Sequence, residues 1–136
     1  MQPQAIQSYL SYCIEPGTRM IQSEWVGGTD SPTYRESLLH ICQVIGQHHI
    51  VHWLYTASRH YIPTMSDQTW LLGEFYPLMA QTSLTKFAVV VQKDLFQQLI
   101  ADSVCSKSKP AFNGTIKMEI FFDAESAQDW LLSETC

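Results

Sequence analysis

The chain has 136 residues, a formal net charge of −5 at pH 7, and 46% hydrophobic against 15% charged residues. That length buries one core without disulfides or metals, and an aromatic content of 12% excludes disorder. An acidic chain with no local cluster of Lys or Arg repels a phosphate backbone, which excludes nucleic acid as the expected partner.

The stretch from Met1 to Ser8 has neither a basic start nor an apolar core, so it reads as no signal peptide. No apolar run approaches the roughly 18 residues that a membrane span needs, and a cytoplasmic location is expected. Cys13, Cys42, Cys105 and Cys136 lie far apart, which suits reduced thiols better than a bridge framework or a zinc knuckle.

Residues 8–14 and 19–26 are β-rich runs around Glu15-Pro16-Gly17-Thr18, where Pro16 presets one turn dihedral and Gly17 accepts a positive φ. The pattern predicts a hairpin. Asp30 or Ser31 then caps a helix with Pro32 in its first turn, and Tyr34, Leu38, Ile41 and Ile45 form its inward stripe. That helix stops between Gly46 and His49, and Ile50 to Tyr55 is the next strand, followed by a loop from Thr56 to Met65.

Ser66-Asp67-Gln68 opens a second helix, with Leu71, Phe75, Leu78 and Met79 inward. Pro77 cannot donate to the Gly73 carbonyl and its ring crowds that carbonyl, a cost of roughly 3 kcal/mol in a straight helix. A kink or an end near Tyr76 is expected. Phe87 to Val91, entered through Lys86, is an unbroken apolar run and reads as a strand buried on both faces, with helices on each side.

A third helix from about Lys93 is expected to bury Leu95, Phe96, Leu99, Ile100 and Val104, before a polar loop from Cys105 to the Asn113-Gly114 turn. Thr115 to Phe122 alternates apolar with polar, the mark of an edge strand. Asp123 caps a last helix that packs through Ala127, Trp130 and Leu131. The order β-β-α-β-α-β-α-β-α defines the class: one α/β domain over residues 1–136, a mainly parallel four- to five-stranded sheet with an N-terminal β-hairpin and four helices.

Motifs for chemistry are scarce. His40, His48, His49 and His52 lack the spacing of a metal set, and histidines at a helix C-terminus are favoured by its dipole alone, so no metal is expected. His52 stands out because a buried imidazole needs a hydrogen-bond partner. Ser58, His60 and Asp67 are triad types in one loop, but without a Gly-x-Ser-x-Gly elbow they predict no catalytic residue; phosphate loops and cofactor fingerprints are also absent. Neither an enzyme nor a cofactor is expected. In open α/β sheets ligands sit beyond the carboxyl ends of the strands. That rule gathers the Thr56 to Asp67 loop, with Arg59 and His60, together with Lys93, Asp94 and Asp123 at one rim. Trp70 lies off the Leu71-Phe75 stripe and would mark a contact surface if exposed.

This element order, with Trp70-Leu71, Lys86-Phe-Ala-Val-Val-Val91 and Ile120-Phe-Phe-Asp-Ala-Glu-Ser-Ala-Gln-Asp-Trp-Leu131, resembles the SpoIIAA-like or STAS proteins, in particular a small single-domain branch. The resemblance implies a SpoIIAA-like fold and a non-enzymatic role in binding a protein partner, switched by phosphorylation at the start of the helix after the central strand. The matching position is Ser66, then Thr64, beside Asp67. Protein contact through the rim and the helix beginning at Ser66 is therefore the leading expectation; whether the chain forms a homodimer is open. A small apolar-ligand or lipid carrier is second and an enzyme using the Ser58 to Asp67 loop third. An exposed Trp70 with no cavity favours a partner, an apolar cavity beneath Tyr76 and Pro77 a ligand, and Ser-His bonding in a cleft chemistry.

Overall fold

The computed structural model describes residues 4–6, 10–25, 28–58 and 61–133. Among them β1 (Gln4–Ile6), β2 (Leu10–Glu15), β3 (Met20–Trp25), β4 (His52–Thr56), β5 (Lys86–Val90) and β6 (Lys117–Phe121) form one sheet in chain order. The first three strands pair antiparallel, and β3 to β6 are parallel. Five strands match those expected; the three-residue β1 adds a sixth, too short to carry a period.

The helices are α1 (Ser31–His48), α2 (Met65–Trp70), α3 (Tyr76–Met79), α4 (Leu95–Ala111) and α5 (Ala124–Leu132), with a π turn, Leu71–Phe75, joining α2 to α3. Parallel strands laid down in chain order by right-handed crossovers put every connecting helix on one face. The large core therefore lies there, where Trp53, Tyr55, Phe87 and Val89 meet Tyr34, Leu38 and Ile41 of α1, Phe75 and Tyr76, and Val104 of α4. Among the described residues only α5, which follows the last strand, reaches the other face, where Ala127 and Leu131 cover Met20, Leu54, Ala88 and Val90. The expected burial of β5 on both sides is observed, with one helix rather than a full layer on the second.

Lys86 explains how that lone helix is held. The residue is only 9% exposed, and its Nζ donates to the carbonyls of Trp130 and Ser133 at 3.0 Å and sits 5.3 Å from the Trp130 ring centre. A cation on the last carbonyls of a helix meets the negative end of its dipole.

Several local expectations need correction. The hairpin turn takes its positive φ at Arg19 (53°) and not at Gly17, and the Arg19 Nε donates to the His49 carbonyl at 3.1 Å. The α4 helix runs on to Ala111 through the stretch expected as a polar loop, ending in a turn where Asn113 and Gly114 both have positive φ. Leu95, Phe96 and Leu99 are 70, 70 and 57% exposed rather than buried. The buried positions of α4 are Gln97, Val104 and Ser108, because Gln97 is bonded on both sides to loops of the sheet rim and fixes the helix phase. Leu78 is likewise outside the core, at 43% exposure.

The second helix is capped by Thr64 rather than Ser66. The Thr64 Oγ1 accepts from the Asp67 backbone N–H at 3.0 Å and Asp67 Oδ2 accepts from the Thr64 N–H at 3.1 Å, a reciprocal capping box. Pro77 acts as expected, through a defined device: the Tyr76 N–H bonds back to the Leu71 carbonyl, five residues earlier, so the helix widens by one residue before restarting with Pro77 in its first turn. No helix among the described residues is long and apolar enough to cross a membrane.

Candidate functional site

Parallel register aligns Thr56, Val90 and Phe121 at the carboxyl ends of β4, β5 and β6. The loops that follow share one rim, as expected, and two features are built on it.

The first is a polar knot around Asp67, whose side chain is fully buried. Oδ1 accepts from Ser31 Oγ at 2.6 Å and from Arg35 Nε at 2.9 Å, both at the start of α1. Oδ2 accepts from the Tyr61 hydroxyl and the Thr64 N–H. Burial alone would raise the Asp67 pKa, but donation from Ser31, Tyr61, Thr64 and Arg35 outweighs it and holds the carboxyl at about 2. Arg35 also donates to Ser66 Oγ at 2.9 Å and lies 5.4 Å from the Trp70 ring centre. Trp70 is half-buried, stacked on Phe75 at 5.2 Å. The knot thus ties the first turn of α1 to the first turn of α2 and satisfies its carboxylate fully.

The second is an apolar cavity of about 70 Å³ beneath the rim. Its floor is Tyr55, Phe87, Val89 and Val91; α4 supplies Gln97, Ile100, Ala101 and Val104; the loop after β4 supplies Ala57, Ser58, Tyr61, Ile62 and Pro63. Leu71 and Tyr76 complete it, joined across the π turn by the bond from the Tyr76 N–H to the Leu71 carbonyl. The register shift that Pro77 imposes therefore stacks both onto the cavity wall. Gln97 closes the rim side: its Nε2 donates to the Ser58 carbonyl at 2.7 Å and its Oε1 accepts from the Gln92 N–H at 2.6 Å.

The remaining expected rim residues divide clearly. Asp94 and Asp123 are helix caps, accepting from the Gln97 N–H at 3.0 Å and the Ser126 N–H at 2.7 Å. Lys93 is exposed. Arg59 and His60 lie outside the described residues, and with His60 so does the Ser58-His60-Asp67 set. Among the described residues no three His, Cys, Asp or Glu side chains gather as metal ligands. His40 and His48 are exposed on α1 and His49 is its left-handed C-cap. His52 sits on β4 with its Nδ1 buried and unpartnered; burial, then Lys86 and Arg19, lower its pKa, which keeps the imidazole neutral.

Sequence reasoning missed Ser31, Arg35, Tyr61 and Gln97. The Thr64-x-x-Asp67 spacing held a readable capping signal; nothing local marks Gln97, whose partners are 39 and five residues away. No family model, curated protein or solved structure matches the chain.

Proposed function

We propose that this domain is a non-enzymatic binder of a small apolar molecule, held in the cavity between the rim loop and α4. The observation that carries the reading is the cavity itself: concave, walled by aromatic and aliphatic side chains, and placed between the sheet face and α4, just beneath the rim at the carboxyl ends of the strands. The cavity's volume is about half that of an apolar cavity that takes benzene, so it encloses a short chain or part of one ring, and a ring-sized occupant protrudes through the open side between the rim loop and α4. The test is extraction: protein purified from cells yields a small organic molecule from wild type and none from Ala101→Leu, which fills the space. Equal yields from both, or none from either, contradict the reading.

A second reading, contact with a protein partner or a second copy of the chain, is favoured by Leu95, Phe96 and Leu99, three large apolar side chains exposed within two turns of α4. The SpoIIAA-like, STAS-type assignment belongs with it, supported by the sequential βα order and the Asp123-capped last helix. Phosphorylation at Ser66 belongs there too: its hydroxyl lies on an exposed residue within reach of the Arg35 guanidinium, which suits a phosphate. Sedimentation of wild type against the Leu95→Glu, Leu99→Glu double variant tests self-association. Identical monomeric profiles would remove the second copy from this reading.

A further inference from the structure

The polar groups on the cavity wall are almost all spent. Gln97 has both ends of its amide bonded to rim backbone. The Tyr55 hydroxyl accepts from Trp25 Nε1 at 2.8 Å and bonds with Tyr34, and Tyr61 donates to Asp67. Tyr76 is different. It is only 4% exposed, its ring is fixed by stacking on Phe112 at 4.4 Å and by an edge contact with Phe87 at 6.1 Å, and its hydroxyl makes no hydrogen bond to another described residue and is not fully enclosed. A phenol on an apolar wall that is bonded to no protein group is free to donate to a bound acceptor.

Among the described residues the wall also carries no Lys, Arg, His, Asp or Glu. A charged ligand finds no ionic partner among them, which favours an uncharged one. Burial, followed by the nearby Tyr55 and Cys105, pushes the Tyr76 phenol well above its ordinary value, so the group remains a proton donor at physiological pH.

Resting on the cavity reading above, we infer that the ligand is an uncharged, ring-sized molecule bearing one hydrogen-bond acceptor, a carbonyl, ether or ring nitrogen, and that the Tyr76 hydroxyl donates to it. Tyr76 then reads the polar atom while Leu71, Val89 and Ile100 take the apolar body.

Benzene and pyridine are matched probes, equal in shape and differing in one acceptor, with pyridine uncharged at pH 8. Binding of each to wild type and to Tyr76→Phe is followed by NMR shift titration. The expected result is about a tenfold loss of pyridine affinity in Tyr76→Phe, the worth of one hydrogen bond, with benzene affinity unchanged within about twofold. The benzene arm also reports that the variant keeps its fold. Equal losses for both probes, or no loss for pyridine, overturn the role of Tyr76. Binding of benzene but not pyridine to wild type overturns the acceptor-bearing ligand alone, whereas failure of both probes to bind wild type overturns the cavity reading itself.

Discussion

Gln97 Nε2 lies 2.7 Å from the carbonyl oxygen of Ser58, joining the first turn of α4 to the loop after β4. The same amide accepts from Gln92, so one side chain holds together the segments that follow two neighbouring strands. This latch and the cavity share a wall. Gln97→Ala removes both bonds that tie the rim to α4 and is expected to cost about 2 kcal/mol. Hydrogen exchange of the backbone amides of Ala57, Ser58, Tyr61 and Ile62 should quicken in the variant, while exchange in β5 stays in step with global stability.

Asp67 predicts a pH dependence with a definite sign. Its folded pKa of about 2 lies below the ordinary 3.8, so the fold holds the ionised form more tightly than the unfolded chain does. The stabilisation is complete above pH 4 and is lost as the pH falls from about 4 to 2. Urea unfolding across that window should show a steeper loss of stability in wild type than in Asp67→Asn, with the variant less stable at pH 7 by about 3 kcal/mol because Arg35 and Ser31 lose their anionic partner.

The phase of α4 is checked by contrast. Leu99→Ala removes a side chain that is 57% exposed and should change stability by less than about 0.5 kcal/mol. Val104→Ala, at 5% exposure, should cost about 2 kcal/mol. The reverse ranking would restore the helix face read from the sequence.

Lys86 is the support for the second face of the sheet. Lys86→Met keeps the stem but removes the cation from the last carbonyls of α5, and should destabilise by about 1 to 2 kcal/mol. Greater protease sensitivity after Asp123, with α1 to α4 intact, would identify α5 as the element released.

Much of this architecture was legible in the sequence for physical reasons that stay local. Phe87 to Val91 is apolar at every position because both its faces are covered, and Tyr34, Leu38, Ile41 and Ile45 repeat with a helical period because one helix face meets the sheet. Pro77 announced a break, since a missing N–H is a property of the residue itself. The site was less legible because it is assembled by long-range polar bonds. Asp67 was singled out as a loop carboxylate, but its partners Ser31 and Arg35 are 36 and 32 residues away. On α4 a buried glutamine displaced three leucine-like residues from the core, a choice that hydrophobic period cannot reveal. The helix expected to open at Ser66 is instead capped by Thr64, because the Asp67 carboxylate completes the box three residues on.

The most direct test of the account is xenon binding followed by methyl NMR, since xenon fills apolar space without any specific chemistry. Under a few atmospheres of xenon, the account predicts saturable shifts at the methyls of Leu71, Val89, Val91, Ile100 and Val104, abolished by Ala101→Leu. Shifts confined to Leu95 and Leu99 on the outer side of α4, or identical shifts in wild type and Ala101→Leu, would contradict it.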